Sequence, residues 1–449
     1  MKREEYLQRT IEQIRCEKAR EGVKRELQNH MDDQKEAFLS EGMTQTEAEE
    51  SAVKEMGDPV EAGVELDRIH RPKIAWHCIL LIGILYFAGL ILQYQLGMQT
   101  EESRFAPGRS FLDFLGYAGR LLAGFAVMLA VSHVDYSRIA KWVRQMWVLY
   151  FGVLFLGMTF FGTQVNGMNF SIYGIVNMKL LVFLFLPLYG GLLFWYRGRG
   201  AGGILVLLLW SLLPVMISLF IPSMTTAVLL MVLMLLMLTL VVLRGWYRVS
   251  AAKALGVIWG AVFALVSGGI ASCFWVWGKS YQIDRIWAFV MPYLTDAKGE
   301  LEKLRRAIEE SHLLGASAWA GKVPDFGDGY SYMMTHVAAS YGILAALLIA
   351  GMMLALFIYF LRISLRQKNQ LGMIMGTGCV LVLLAQTLLY LVINGGWAVY
   401  GSIYCPFLTY GGTGMLVTNI LLGILLSIYR YENIPLVIPD VRRRILRIH

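Results

Sequence analysis

The chain has 449 residues, 57% of them hydrophobic and 16% charged, with a mean hydropathy of +0.55. That composition excludes a soluble globular protein and places the sequence among polytopic membrane proteins. The net charge is +8, and where it falls along the chain matters more than its sum.

Residues 1–73 are polar and charged, so no cleavable signal peptide is expected and the first apolar span must act as the insertion signal. Apolar residues recur at helical spacing in Tyr6-Leu7, Ile11 and Ile14, and again in Val23, Leu27 and Met31. Thr44-Gln-Thr-Glu47 has the form of a capping box. The helix it opens is expected to stop at Gly57-Asp58-Pro59. The segment reads as a three-helix cytoplasmic domain. It resembles the small HAAS or permease-prefix modules that precede membrane proteins, which implies a docking or regulatory role. A solubilising prefix is the plainer alternative.

From residue 74 onward, ten apolar runs are each long enough to cross a bilayer: 74–95, 111–133, 143–162, 172–195, 201–221, 225–243, 254–278, 333–361, 371–393 and 411–429. Basic residues fall in alternate connections: Arg138, Lys141 and Arg144; Arg197 and Arg199; Arg244, Arg248 and Lys253; Arg362, Arg366 and Lys368; then Arg442 to Arg444 in the tail. The short loops 163–171, 222–224 and 395–410 carry no Lys or Arg. The positive-inside rule then puts both termini in the cytoplasm. The expected fold is an all-α polytopic membrane protein, with a helical domain at 1–73, about ten transmembrane helices over 74–430 and a basic tail at 431–449. The five cysteines (Cys16, Cys78, Cys273, Cys379, Cys405) show no metal or disulfide spacing.

Ionisable groups inside spans are costly and mark functional candidates. Arg120 lies in the second run. Lys179 lies about seven residues into the fourth, or roughly 10 Å deep. Both suit an outward-facing cavity that attracts a phosphate-bearing lipid. A buried ion pair, or a side chain snorkelling to the interface, would explain either as well. The long loop at about 279–332 is exceptional in length, as functional loops are. Its stretch from Asp296 to Glu310 is amphipathic, with Leu301, Leu304, Ala307 and Ile308 on one face; a helix lying on the membrane surface would look the same.

Near the C-terminal end, Pro406-Phe-Leu-Thr-Tyr-Gly-Gly-Thr-Gly414 breaks the backbone between two runs, shortly after Asn394-Gly395-Gly396. Irregular backbone at membrane depth is tolerated only inside protein or along a wet cavity. Together with Gln386 and with Gly423 through Ser427-Ile-Tyr-Arg430, this stretch resembles the last two helices of the FtsW/RodA/SpoVE family, the SEDS proteins of peptidoglycan synthesis. Further matches are Ser132 and Asp135-Tyr136, Asn166-Gly167 with Lys179, and Tyr281, Asp284-Arg285-Ile286, Pro292 and Asp296. Two departures stand out. Val176 occupies the family's glutamate position, and an ungapped match of Gly342 puts Ser331 where the family has its catalytic aspartate.

The resemblance implies a glycosyltransferase that polymerises lipid II at the outer face of the bacterial cytoplasmic membrane, partnered by a single-pass class B penicillin-binding transpeptidase. Such a reaction needs a base for a sugar hydroxyl. Serine alone cannot serve at neutral pH, so Asp328, the nearest carboxylate to Ser331, is the expected base; Asp325 is the next nearest. Asp328 would lie one turn from Ser331 if the helix already includes it, although Asp-Phe-Gly-Asp-Gly suits a simple turn equally. Lys179, Arg120 and Arg285 are the expected substrate contacts. Gln386, Asn394, Thr409, Tyr410, Gly411 and Gly412 would shape the cavity. No soluble-cofactor motif, nucleotide loop or metal cluster is visible; a divalent cation stays open, and nucleic acid is not an expected partner. A non-catalytic SEDS-like lipid-carrier binder or scaffold is the competing reading. A flippase or transporter ranks last, because the paired broken helices of two related halves are not seen.

Overall fold

The structure, a computed structural model, describes residues 1–99, 109–165, 168–172, 176–221, 223–272, 298–323, 332–367, 369–397, 404–409 and 411–433. It divides into two compact units.

The first unit comprises Met1–Ala75, Gln367–Asn369 and Ile428–His449. Its N-terminal part has four helices: α1 (Arg3–Glu12), α2 (Glu17–Ser40), α3 (Gln45–Glu55) and α4 (Pro59–His70). The sequence reading expected three. It took Asp58-Pro59 as a stop, whereas Asp58 is the N-cap of α4, accepting from the N–H groups of Val60 (2.8 Å) and Glu61 (3.0 Å), with Pro59 in the first helical turn. The Thr44–Glu47 capping box is present. Tyr6, Leu7, Ile14, Val23, Leu27, Met31, Ala52 and Val53 form the buried core, and the Tyr6 hydroxyl donates to Met56 O at 2.8 Å.

The second unit contains α5 (Trp76–Gln99), α6 (Arg109–His133), α7 (Tyr136–Lys141), α8 (Val143–Phe161), α9 (Met178–Leu181), α10 (Phe185–Trp195), α11 (Ala201–Phe220), α12 (Met224–Leu243), α13 (Ala251–Ser272), α14 (Lys298–Glu309), α15 (Met333–Tyr341), α16 (Ile343–Arg366) and α17 (Gln370–Asn394). It also holds most of α18 (Gly412–Arg430). Nine helical stretches among the described residues are long and apolar enough to span a membrane; α9 and α10 act as one span, Met178–Trp195, through a short 3-10 turn. The remaining expected run, 254–278, corresponds to α13, whose apolar part, Ala251–Ala264, is shorter. Three strands also form: β1 (Gly162–Val165), β2 (Met168–Ile172) and β3 (Val176–Asn177), in one antiparallel sheet. The sequence reading took 163–171 as a plain loop and began the fourth span at 172.

α17 is the centre of the bundle, with α10 packed along it. The approach is close because two glycines face each other's helix. A Cβ on Gly190 would sit 3.0 Å from the backbone of Met375, and one on Gly378 would sit 3.1 Å from Leu186 O. Small residues let membrane helices approach in this way. Gly190→Leu is expected to destabilise the protein by about 1–3 kcal/mol, because the backbone it meets cannot move aside. Thermal unfolding in detergent measures this, and an unchanged midpoint would refute the tight packing.

The expected eighth span, 333–361, is two helices. α15 is a short helix buried from Met333 to Ala339. Gly342, at φ +102, ends it, and α16 is the spanning helix. A Cβ on Gly342 would meet Leu313 O at 2.6 Å, so the chain before α15 is pressed against this joint. The amphipathic stretch forms α14, and its apolar face packs on protein: Leu304 and Ala307 are buried in a cluster with Val323, Tyr332, Ala339 and Ile393.

Candidate active site

The site builds from the N-terminal end of α18. Gly411 O accepts from Met415 N–H at 3.0 Å. The first-turn N–H groups, those of Gly412, Thr413 and Gly414, have no acceptor within their own helix. Such an end favours anions. Glycine is required here. A Cβ on Gly414 would overlap the ring of Tyr404, which is itself buried. At Gly412 an added Cβ would lie 3.5 Å from Cδ of Arg120, so the Arg120 stem crosses the helix start. Its guanidinium folds back toward Gly116, one turn nearer the start of α6.

The neighbouring residue ties in the second cation. Asn177 N–H donates to the Thr413 hydroxyl at 2.9 Å. The Asn177 side chain in turn accepts from Lys179 N–H at 3.1 Å and caps α9. Lys179 therefore sits in the first turn of its span, half-buried. The expected depth of seven residues was wrong because residues 176–177 are strand. The Arg120 stem thus lies against Gly412, and Asn177, two residues before Lys179, meets the next residue, Thr413.

The turn that feeds this helix is a fixed plug. Cys405 N–H donates to the Thr409 hydroxyl at 2.8 Å, and Thr409 N–H donates to Cys405 O at 3.2 Å. Phe407 has a positive φ of 69°, costly for a non-glycine residue. Its ring is held edge-on by Tyr86 at 4.9 Å and stacked by Phe357 at 6.0 Å. Gly89 leaves room for the Phe407 carbonyl, and Gln93 donates to Leu408 O at 2.7 Å. Thr409, expected at a cavity wall, closes this turn.

A polar stripe on α17 connects the plug to the start of α15. Gln386, Tyr390 and Asn394 follow one another at four-residue spacing and are all buried. Tyr390 OH accepts from Met333 N–H at 2.9 Å, and Asn394 Oδ1 accepts from Met334 N–H (3.0 Å) and Thr335 N–H (3.2 Å). The Thr335 hydroxyl donates to Asn394 O at 2.9 Å. The Tyr390 hydroxyl also lies beside Thr409. One residue of α17 thus touches both the α15 start and the glycine-loop plug. Arg305 adds a further tie, donating to O of Gly396, which has φ +70. A small pocket beside α15 is lined by Leu92, Gln95, Met333, His336, Val337, Ser340 and Tyr341.

Asp328, Ser331, Arg285 and Tyr410 lie outside the described residues. α15 begins at Met333, with Tyr332 at its N-cap. Gly411, against the Tyr404 ring, and Gln386 belong to the framework just described. Sequence reasoning missed Tyr390 and Thr413. The four-residue spacing from Gln386 to Asn394 could have pointed to Tyr390; nothing in the sequence marked Thr413 apart from its neighbours. Among the described residues, no group of three or more His, Cys, Asp or Glu is placed to hold a metal.

Known proteins fit this architecture. A solved chain described as "Structural coordination of polymerization and crosslinking by a peptidoglycan synthase complex" superposes with a TM-score of 0.63 at 17% identity, covering 80% of this chain and 98% of the other. The rod shape determining protein RodA of Thermus thermophilus superposes with a TM-score of 0.54 at 17% identity, covering 80% of this chain and 97% of the other. A "Probable peptidoglycan glycosyltransferase FtsW" of Geobacter sp. (strain M18) is 24% identical over 161 residues, or 35% of this chain and 44% of the relative. The chain spans under half the length of the curated relatives it matches. The family described as Cell cycle protein, FtsW/RodA/SpoVE, matches residues 75–434, nearly the whole chain beyond the N-terminal helices, and the protein belongs to that family.

Proposed function

We propose that the protein is a peptidoglycan glycosyltransferase that polymerises lipid II at the outer face of the bacterial cytoplasmic membrane. The observation that carries this reading is the convergence on one helix start: the Arg120 stem lies against Gly412, and the segment that carries Lys179 is fastened to Thr413 through Asn177. Two cations on segments that meet at the start of a helix suit a diphosphate. The reaction transfers a sugar from that diphosphate. Asp328 takes the proton from an acceptor sugar hydroxyl as its oxygen bonds to the anomeric carbon. The bond from that carbon to the diphosphate breaks, and the polyprenyl diphosphate departs with the electron pair, its growing charge held by Arg120 and Lys179. The proton then passes from Asp328 to water. Ser331, Arg285 and Tyr410 are further substrate-site candidates, while Gln386, Tyr390, Asn394 and Thr409 hold the framework behind the site.

A class B penicillin-binding transpeptidase is the proposed partner, supported by the likeness to a chain of a synthase complex that combines polymerization with crosslinking. The alternation of basic loops supports cytoplasmic termini. A second reading, a non-catalytic lipid-carrier binder or scaffold, is favoured by Ser331 in the aspartate register and by Val176, in β3, at the family's glutamate position.

The protein purified with a cognate transpeptidase and supplied with lipid II is expected to make glycan polymer, resolved by gel electrophoresis. Measurable lipid II binding without polymer would establish the second reading instead. Arg120→Gln and Lys179→Gln are each expected to weaken lipid II binding about tenfold, as befits the loss of one charge-assisted contact. Unchanged affinity in the double variant would remove the diphosphate from this end of α18.

A further inference from the structure

Elsewhere in the transmembrane unit, two interhelical turns are fastened side by side. One follows α10 and the other follows α12. Gly198 N–H donates to Trp246 O at 2.7 Å, and Arg248 N–H donates to Arg199 O at 2.9 Å. Gly198 (φ +78) and Gly245 (φ +70) make both turns tight. Arg197 and Arg199 of one turn are thereby set beside Arg244 and Arg248 of the other. Arg244 donates to Leu365 O at 3.2 Å, which adds Arg366 at the end of α16. Arg197 donates to Gln370 Oε1 at 2.9 Å. These five arginines are exposed.

Aromatic rings hold several guanidinium groups in place: Arg197 lies 4.2 Å over Phe194, Arg199 4.5 Å over Tyr196, and Arg144 4.8 Å over Trp195. The stretches 194–203, 243–253 and 362–372 contain no Asp or Glu. The C-terminal dipoles of α10, α12 and α16 offset part of this charge, each by only about half an elementary charge. The remainder attracts anions from outside these turns.

We propose that the paired turns bind a phospholipid headgroup carrying two phosphates. The guanidinium fork matches a phosphate through two parallel hydrogen bonds. Two arginines on each clipped turn provide for two phosphates rather than one. All of them stand within a few residues of the spanning helices' ends, at the depth of lipid headgroups. A soluble diphosphate has the same chemistry without the acyl chains, and competition separates the two.

The test titrates the purified full-length protein in detergent with cardiolipin, with phosphatidylglycerol at matched charge and with phosphatidylcholine, read by native mass spectrometry. Cardiolipin is expected to bind roughly tenfold tighter than phosphatidylglycerol. The Arg199→Gln/Arg248→Gln variant is expected to lose about fivefold per arginine, the value of one basic residue at a lipid surface. Arg138→Gln/Lys141→Gln, changed outside the paired turns, is expected to bind as the wild type does. Should the first variant fail to fold, Arg199→Lys/Arg248→Lys keeps the charge, loses the fork and should bind cardiolipin no better than phosphatidylglycerol. Equal affinity for the two lipids in the wild type, or an equal loss in the Arg138/Lys141 variant, would overturn the proposal in favour of general surface attraction. Displacement of cardiolipin by inorganic pyrophosphate at comparable concentration would overturn the lipid assignment and leave a soluble diphosphate as the ligand.

Discussion

Asp328→Ala is expected to cut lipid II polymerisation by about 10²- to 10⁴-fold, the usual contribution of a positioned general base. The expectation rests on the chemistry of the acceptor. A sugar hydroxyl at neutral pH is a poor nucleophile until its proton is taken, and Ser331 cannot take it unaided. The donor's diphosphate is assigned to Arg120 and Lys179, which this substitution leaves in place. Lipid II affinity should therefore stay within about twofold while turnover falls, the pattern of an interaction made only in the transition state. Asp328→Asn should behave the same way, because the amide keeps the size and loses the basicity. Ser331→Ala should lose far less. Asp325→Ala is the informative control. If it removes activity and Asp328→Ala does not, the base is Asp325. If neither does, no carboxylate on this segment is the base.

The sequence made the spans legible because bilayer thickness imposes a length and a composition that few other structures share. It did not show where a span stops being lipid-facing. Met333 to Ala339 is as apolar as a membrane helix, yet it is buried in protein, and apolar composition cannot separate the two kinds of burial. Gly342 was the available signal, since a glycine at a helix joint permits a positive φ. Residues 163–171 were read as a loop and 172–177 as the start of a span because β-strands this short carry no periodicity; that error also misplaced Lys179. The glycine loop was the most legible part of the site. Glycine is needed where the Tyr404 ring and the Phe407 carbonyl press on backbone, at Gly414 in the loop and at Gly89 in α5, and the sequence flagged the first of these. What joins the loop to α15 was not legible as a link. Asn394 drew notice beside Gly395-Gly396 and as part of the family resemblance, and its role in capping a helix some sixty residues earlier in the chain is a tertiary fact.

Asn394→Ala is expected to destabilise the membrane unit by about 2–4 kcal/mol. The N–H groups of Met334 and Thr335 are buried and share the Asn394 carbonyl oxygen. Water cannot readily replace it, and an orphaned buried N–H costs about 1–3 kcal/mol. The Asn394 amide nitrogen also donates to Tyr390 O at 2.9 Å, so the cap and the α17 stripe loosen together. Tyr390→Phe removes one acceptor, that of Met333 N–H, and should cost about 1–2 kcal/mol. Asn394→Asp keeps an acceptor oxygen at a helix start, where negative charge is favoured; it should recover part of the loss but turns a second acceptor toward the Tyr390 carbonyl. Thermal unfolding in detergent ranks the three variants as Ala worst, then Asp, then Phe. A positioning role predicts that turnover falls along with the midpoint, because the segment carrying Asp328 enters α15 through this cap, while lipid II affinity changes little. A direct substrate contact predicts the reverse: weaker lipid II binding with an unchanged midpoint. That outcome would return Asn394 to the cavity wall and leave the start of α15 anchored by Tyr390 and the Thr335 hydroxyl.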